Sequence, residues 1–493
     1  MRVLIWVFHP PSPDSSYWAW LIGGMEAAGH QVIAVDAFGV CSLFGPHRIE
    51  AILLAYARAY RVQAAVVVPQ AFVSVAFLNA LRAMGTAVIA LRYDDGLLAA
   101  PGVPVPYSGQ EIGLFRHHEA GCDLAVTTCR NALRVFAESY GPPLVYVPLP
   151  FECGGIDASE RPLRPVIAYA GSPKFREDTP LSARVAIVRS LLAVGLPMEL
   201  HHADWATIPG CEAAARPTPS RAAFFDIFRT STVNLVLASD WGPRIYPMIK
   251  LLNMEIAAAG GMQLTSPCAE LDDYFTADLD IAYATTESEF ARQARYYLTH
   301  PDEARQLGRR SRRVIERRAT WARWWQAVAG HLQAGGHTLD LTAPAVAPDP
   351  AEIPVLAAVA AALAHAHTAA GQAAVARVYF DELRRYDPGN ASIDRGLARL
   401  ADMEGRRPPV AEPPVWPGLG DAGHLTIAAA FGKVEAALRD GDQVRLLAAA
   451  TDVCRLDPAL APALGDWLEA CSEQDLATQV RALWPQAGDP VDS

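Results

Sequence analysis

Ile245-Tyr-Pro-Met-Ile-Lys250-Leu-Leu-Asn253-Met-Glu255-Ile-Ala-Ala-Ala-Gly260-Gly261-Met-Gln-Leu-Thr265 decides the fold of this chain. Pro247 suits a first helical turn, where its missing N–H would be unpaired anyway. From Met248 to Ala259 the apolar residues keep helical spacing, and Glu255 shares a face with Leu251. Gly260-Gly261 stops that helix, and Met262 to Thr265 reads as a short strand. Helix, glycine and strand in immediate succession make one cycle of a parallel α/β sheet.

The same rhythm extends in both directions. A strand is expected at Pro165-Val-Ile-Ala-Tyr-Ala-Gly171, a helix over Arg184 to Val194 and a strand over Met198 to His201. A helix over Ser220 to Phe228, a strand over Val233 to Leu237 and a helix over Glu287 to Leu298 complete this half. Before it, strands are expected over Val3 to Phe8, Gln31 to Val35, Ala64 to Val68, Ala87 to Leu91, Leu124 to Thr127 and Leu144 to Val147. Trp18 to Ala28 reads as a helix closed by Gly29, a position that favours left-handed backbone. Proline-containing Pro148 to Pro165 reads as a linker, which sets two Rossmann-like domains at 1–150 and 151–341. A Pro/Ala segment, Thr342 to Pro354, then leads to an all-α tail over 350–493. In that tail Gly371 precedes Asp387-Pro388 by the interval at which Gly441 precedes Asp457-Pro458. This resembles tetratricopeptide repeats, whose period is ~34 residues, with Ala376 and Phe380 at packing positions of the first copy. An unrelated helical bundle is the alternative.

At 493 residues the chain exceeds one ordinary core. A net charge of -11 opposes counterion-release binding, so nucleic acid is not an expected partner. Eight scattered cysteines without a C-x-x-C pair fit a reducing, cytoplasmic setting and offer no zinc spacing. His9-Pro10-Pro11 interrupts the N-terminal apolar run, which reads as a strand and not a signal peptide. Val355 to Ala364 is the most continuous apolar stretch, and His365 and His367 end it short of a membrane span. Stable membrane insertion is not expected.

In open α/β sheets ligands lie beyond the carboxyl ends of the strands. Gly171-Ser172-Pro173-Lys174-Phe175-Arg176 follows such a strand, and its backbone N–H groups with Lys174 and Arg176 could grip a diphosphate. The glycine could equally serve turn geometry alone. Glu255 could accept hydrogen bonds from a vicinal diol such as a ribose, or be one solvated glutamate on an amphipathic helix. Acceptor-side candidates after strands of the first half are His9 with Asp14, Gln70, Asp94-Asp95 and His117-His118, any of which could equally be loop or capping residues. Asp94 and Asp95, with His9, are the preferred general-base candidates. Trp321, Trp324 and Trp325 fit core packing or a helix returning to the first half better than sugar stacking. With no Gly-x-Gly-x-x-Gly after any strand, a dinucleotide oxidoreductase is disfavoured.

Glu255, Gly260, Gly261, Glu270, Leu271, Phe275, Leu298 and Pro301 occur in the order found in the C-terminal half of group 1 glycosyltransferases. The chain resembles that family, in its spore-maturation-protein type, over roughly residues 1–331 and most strongly over 240–320. The resemblance implies two Rossmann-like domains in a GT-B arrangement, a nucleotide-sugar as co-substrate rather than a cofactor, and a metal-independent transfer. The acceptor is a glycan, a protein or a small molecule, and the helical repeats could add a protein partner. By the same resemblance Glu255 holds the nucleotide ribose, Lys174, Arg176 and Lys250 the diphosphate, and Gly260-Gly261 allow close ligand approach. Two positions depart from the pattern. A second glutamate, eight residues before the first in retaining relatives, is Pro247 here, and an arginine three residues before it is Leu252, leaving Arg244 or Lys250 to substitute. These departures keep open a noncatalytic scaffold with a decayed transferase core. A nucleotide-sugar epimerase is the other alternative.

Overall fold

The computed structural model describes residues 1–7, 18–45, 48–68, 73–92, 121–130, 133, 142–157, 159–173, 183–237, 248–369, 372–389 and 391–405. The chain opens with β1 (Arg2–Val7), a π-helical turn (Ala19–Gly23) running into the short α1 (Gly24–Ala27), and β2 (Gln31–Asp36). Next come α2 (Ala37–Phe44), α3 (Ile49–Tyr60), β3 (Ala64–Val67), α4 (Val75–Ala83), β4 (Ala87–Arg92), β5 (Leu124–Thr127) and β6 (Leu144–Tyr146). The six strands form one parallel sheet in the order β2-β1-β3-β4-β5-β6. Every side chain of β3, β4 and β5 is buried. A sheet covered on both faces reads as continuous apolar runs, which is why its strands were legible. Asp36 caps α2 by accepting from the Gly39 N–H at 2.8 Å, and Ser74 caps α4 by accepting from Phe77 at 3.1 Å. The expected helix over Trp18 to Ala28 is π-wound in its first part. Gly29 ends it with φ of 86°.

The second half contains β7 (Arg164–Tyr169), α5 (Ala183–Ala193), β8 (Met198–His201), the two-residue β9 (Ala215–Arg216), α6 (Arg221–Thr230) and β10 (Ser231–Val236). Then follow α7 (Leu251–Ala258), β11 (Gln263–Thr265), β12 (Ala282–Tyr283), α8 (Glu287–Thr299), α9 (Pro301–Arg318) and α10 (Trp321–Ala334). Its parallel sheet has the order β12-β11-β10-β7-β8-β9. Edge strands β9 and β12 escaped the sequence reading because two residues carry no period. The helix expected from Met248 starts later, at Leu251. Lys250 is extended (φ −109°, ψ 152°), and the Asn253 side chain accepts from the Lys250 N–H at 3.0 Å, which fixes the first turn there.

Trp321, Trp324 and Trp325 are at most 2 % exposed and lie in a core shared by both halves. Trp321 donates to the Trp20 carbonyl at 2.9 Å, and Gly24 makes room for its indole, since a Cβ there would sit 2.2 Å from Trp321 Nε1. The tryptophans therefore pack the returning helix α10 onto the first half, as the aromatic spacing implied.

The tail supplies α11 (Ile353–Ala369), α12 (Ala373–Tyr386) and α13 (Ala391–Gly405). Ala376 and Phe380 are fully buried, and Gly396 of α13 lets the Phe380 ring approach. The Pro/Ala segment is no loose spacer, because it lies against the first half. Gln31 exchanges two 2.9 Å hydrogen bonds with the Val346 backbone, and the Met1 ammonium donates to the Ala343 carbonyl at 2.7 Å. The apolar face of α11 joins the first half's core through Leu356, Ala360 and Leu363. A tyrosine-rich seam adds polar links, with Tyr56 and Tyr386 both donating to Glu382 and the Tyr60 and Tyr386 hydroxyls 3.0 Å apart. The Gly371 turn and the second copy, Gly441 with Asp457-Pro458, lie outside the described residues. Among the described residues no helix is long and apolar enough to cross a membrane.

Candidate functional site

In the second sheet β7 and β10 are neighbours from which the chain winds off to opposite sides, so a crevice opens beyond their carboxyl ends. Gly171 and Ser172 stand at that point. Their carbonyls are held from two sides: Trp205 Nε1 donates to Gly171 at 2.8 Å and Arg184 Nη1 to Ser172 at 2.6 Å. Gly171 fits tightly, since a Cβ would lie 3.2 Å from the Tyr169 hydroxyl. Arg184, in the first turn of α5, is 7 % exposed with its guanidinium 5.6 Å above the Tyr169 ring. A cation fixed at the carboxyl edge of the sheet raises the local potential where anions are taken up.

Glu255 is 3 % exposed, so it is not a solvated glutamate. Its Oε1 lies 3.6 Å from Nη1 of Arg221, the first residue of α6. Ser220 caps that helix through the Ala223 N–H, and the Arg221 guanidinium stacks 4.9 Å above the Phe225 ring. Both helices begin at the carboxyl edge of the sheet, so the pair sits at its mouth. Lys250, half-buried, precedes α7 on the same edge. In front of Arg221 a cavity of about 450 Å³ is walled by Trp20 and Gly24 of the first half, Phe151 and Glu152 of the connection, and Phe225. Glu152 accepts from the Trp321 N–H at 2.8 Å, and burial raises its carboxyl above the ordinary value.

A second contact joins the two halves. Glu270, 1 % exposed, accepts from the Arg130 N–H at 2.9 Å, in the loop after β5. The Arg130 guanidinium and the Tyr146 hydroxyl both bond Asp273, and burial and then Asp273 push the tyrosine's titration upward. The segment Glu270 to Phe275 therefore fastens the second half to the first.

The structure corrects one assignment. Gly260 and Gly261 lie at the amino edge of the sheet, before β11, at the far end of α7 from the crevice. Gly260 is left-handed (φ 75°), and α9 comes so close that a Cβ on Gly308 would sit 2.1 Å from the Gly260 carbonyl oxygen. A Cβ on Gly261 would meet the Phe228 carbonyl at 2.6 Å. Left-handed backbone accounts for Gly260 and close packing for Gly261, and both stand away from the crevice beyond the carboxyl ends of the strands. Lys174, Arg176, Arg244, His9, Asp14, Gln70, Asp94, Asp95, His117 and His118 lie outside the described residues, as does Pro247. Sequence reasoning passed over Arg184 and Arg221, whose only signal is an arginine in a helical first turn after a strand. It also passed over Arg92, 1 % exposed at the carboxyl end of β4. Among the described residues no group of three or more His, Cys, Asp or Glu is placed to hold a metal ion.

Residues 184–330 match a protein-family model described as glycosyl transferase-like, so this segment, from α5 into α10, is a glycosyltransferase-like domain. No curated protein matches the chain. Among solved structures, sucrose-phosphate synthase from Thermosynechococcus elongatus is similar at 12% identity and a TM-score of 0.48, over 68% of this chain and 98% of that one. HepE of Anabaena in complex with UDP-glucose is similar at 12% identity and a TM-score of 0.47, over 68% and 100%. A glycosyltransferase from Rickettsia africae gives 11% identity and 0.45, over 68% and 98%.

Proposed function

We propose that the two α/β halves form a GT-B glycosyltransferase that moves a sugar from a nucleoside diphosphate to a hydroxyl of a glycan, protein or small molecule. The observation that carries this reading is the buried Glu255–Arg221 pair at the mouth of the second sheet, inside the glycosyltransferase-like segment and facing a cavity between the halves. In the transfer the bond from the sugar's anomeric carbon to the diphosphate oxygen breaks, and a bond from that carbon to the acceptor oxygen forms. The acceptor's proton passes to a base, for which Asp94, Asp95 and His9 are the candidates. Charge develops on the leaving diphosphate, and preorganised cations there lower the barrier most effectively. Arg184 and Arg221 are our choice for that task, with Lys174, Arg176, Lys250 and Arg244 completing the anion site beside Gly171 and Ser172. Cationic side chains would supply the charge that a divalent metal supplies in other transferases.

Glu255 then has two tasks, orienting Arg221 through one oxygen and accepting a ribose hydroxyl on the carboxylate. We read the tail as tetratricopeptide-like, with α12 and α13 as part of a surface for a protein partner.

The direct test incubates the purified chain with a panel of nucleotide-sugars and follows nucleoside diphosphate release and the fate of the sugar. Release that rises with an acceptor and falls at least ~10-fold in Arg184→Met or Arg221→Met supports the transferase. An epimerised sugar with no release would show the epimerase instead, and turnover of none of the panel would point to the scaffold.

A further inference from the structure

The amino edge of the second sheet holds a cavity that the transfer reaction does not use. It measures about 250 Å³ and is lined by Arg161 of the linker, Arg229 of α6, and Arg305, Arg309, Arg312 and Arg313 of α9. Two acidic residues, Glu160 and Glu316, line it as well. The charge balance comes from the pairing. Arg229 is held by Asp157 and Asp226, Arg305 and Arg309 share Glu160, and Arg312 bonds Glu316 at 2.7 Å. Arg312 also donates to the Ala258 carbonyl, so the negative end of α7 is already met. Arg161 and Arg313, both exposed, have no carboxylate partner among the described residues. Positive charge is left over in a concave site.

The sequence of α9 sharpens the point. Arg305, Arg309, Arg313 and Arg317 follow one another at four-residue spacing, so guanidinium stands above guanidinium along one face of the helix. Like charges so spaced destabilise a helix, and an anion bridging them removes the penalty. Guanidinium is also the side chain whose planar fork matches phosphate oxygens two at a time. The cavity is several times the ~30 Å³ that one water takes up in the liquid, and therefore suits a compact anion.

We infer that this cavity binds a compact anion carrying two or more phosphate groups, held between Arg161 of the linker and Arg313 of α9 and apart from the crevice of the transfer reaction. The phosphates could belong to a soluble oligophosphate or to a lipid headgroup, and the test separates the two.

Calorimetric titration of the full chain with tripolyphosphate at low salt is expected to show binding that weakens at least ~10-fold in the Arg161→Ser/Arg313→Ser variant. Arg221→Met, at the opposite edge, should leave that binding in place. Because both replaced arginines are exposed, the double variant should melt as the parent does, and nucleotide-sugar binding should persist. A second arm pellets the chain with vesicles of phosphatidylcholine alone or with added phosphatidylinositol 4-phosphate, whose headgroup carries two phosphates. Pelleting on the acidic vesicles alone, lost in the double variant and without tripolyphosphate binding, assigns the site to a lipid headgroup. Absence of binding to both probes overturns the inference. So does binding that survives the double variant, or that disappears only in Arg221→Met.

Discussion

Helix α7 has two ends with opposite assignments, though both carry residues that resemble a ligand site. At the carboxyl edge of the sheet, Glu255 is buried against Arg221, and Arg184 stands beside Ser172. At the amino edge, Gly260 takes left-handed backbone under Gly308 of α9, and Gly261 gives up its side-chain space to the Phe228 carbonyl. A glycine after a helix is thus a packing device when another backbone fills its missing Cβ, whatever the motif around it. A glutamate buried beside an arginine is different. It costs desolvation that packing alone does not repay, so it is the better pointer to function.

The difference between the ends can be broken in several places. The largest effect is expected at Gly308. A valine there would drive its Cβ into the Gly260 carbonyl, costing on the order of 3 kcal/mol or more. Chemical denaturation should show this as a lower midpoint with an unchanged slope. Next is Glu255→Ala, which strands Arg221 beside an empty partner and should cost about 2–3 kcal/mol. Glu255→Gln keeps the shape and should cost about half as much. A double-mutant cycle with Arg221→Met should return a coupling of about 1 kcal/mol or more, and strict additivity would contradict the pair.

His30 provides a control away from both edges. Its ring packs edge-on against Trp325 at 5.7 Å, and neither ring nitrogen has a partner among the described residues. Burial first, and then the Met1 ammonium, lowers its pKa to about 4 from 6.5. The unfolded chain therefore binds a proton that the folded chain refuses between pH 6.5 and 4. Stability should fall as pH drops through that window, and His30→Phe should flatten this part of the profile. The smallest effect belongs to Arg309→Ala, which removes an exposed ion pair with Glu160 and should cost under about 0.5 kcal/mol.

Much of the fold was legible because both sheets are buried on both faces. Runs such as Ala64 to Val67 and Ala87 to Leu91 have no reason to be apolar otherwise. Edge strands β9 and β12 were not legible, and neither was the late start of α7, which depends on the Asn253 side chain. Of the candidate site, Glu255 and the Gly171–Ser172 turn could be read because a strand and a helix flank them. Arg184 and Arg221 could not. Their significance depends on which carbonyl or carboxylate they meet across the fold, and no spacing along the chain encodes that. Gly260 and Gly261 misled for the same reason, since the Phe228 carbonyl that fills the space beside Gly261, and Gly308, which lets α9 pack onto Gly260, lie in other helices.

The account depends most on nucleotide binding at the carboxyl edge of the second sheet. The deciding measurement is the melting temperature of the full chain and of Glu255→Gln and Arg184→Met, with and without saturating nucleoside diphosphates and nucleotide-sugars. A ligand that binds only the folded state must raise it. The account predicts that one nucleotide series stabilises the parent and that both substitutions reduce or abolish the shift. A shift left intact in both variants, or no shift from any nucleotide, would contradict it.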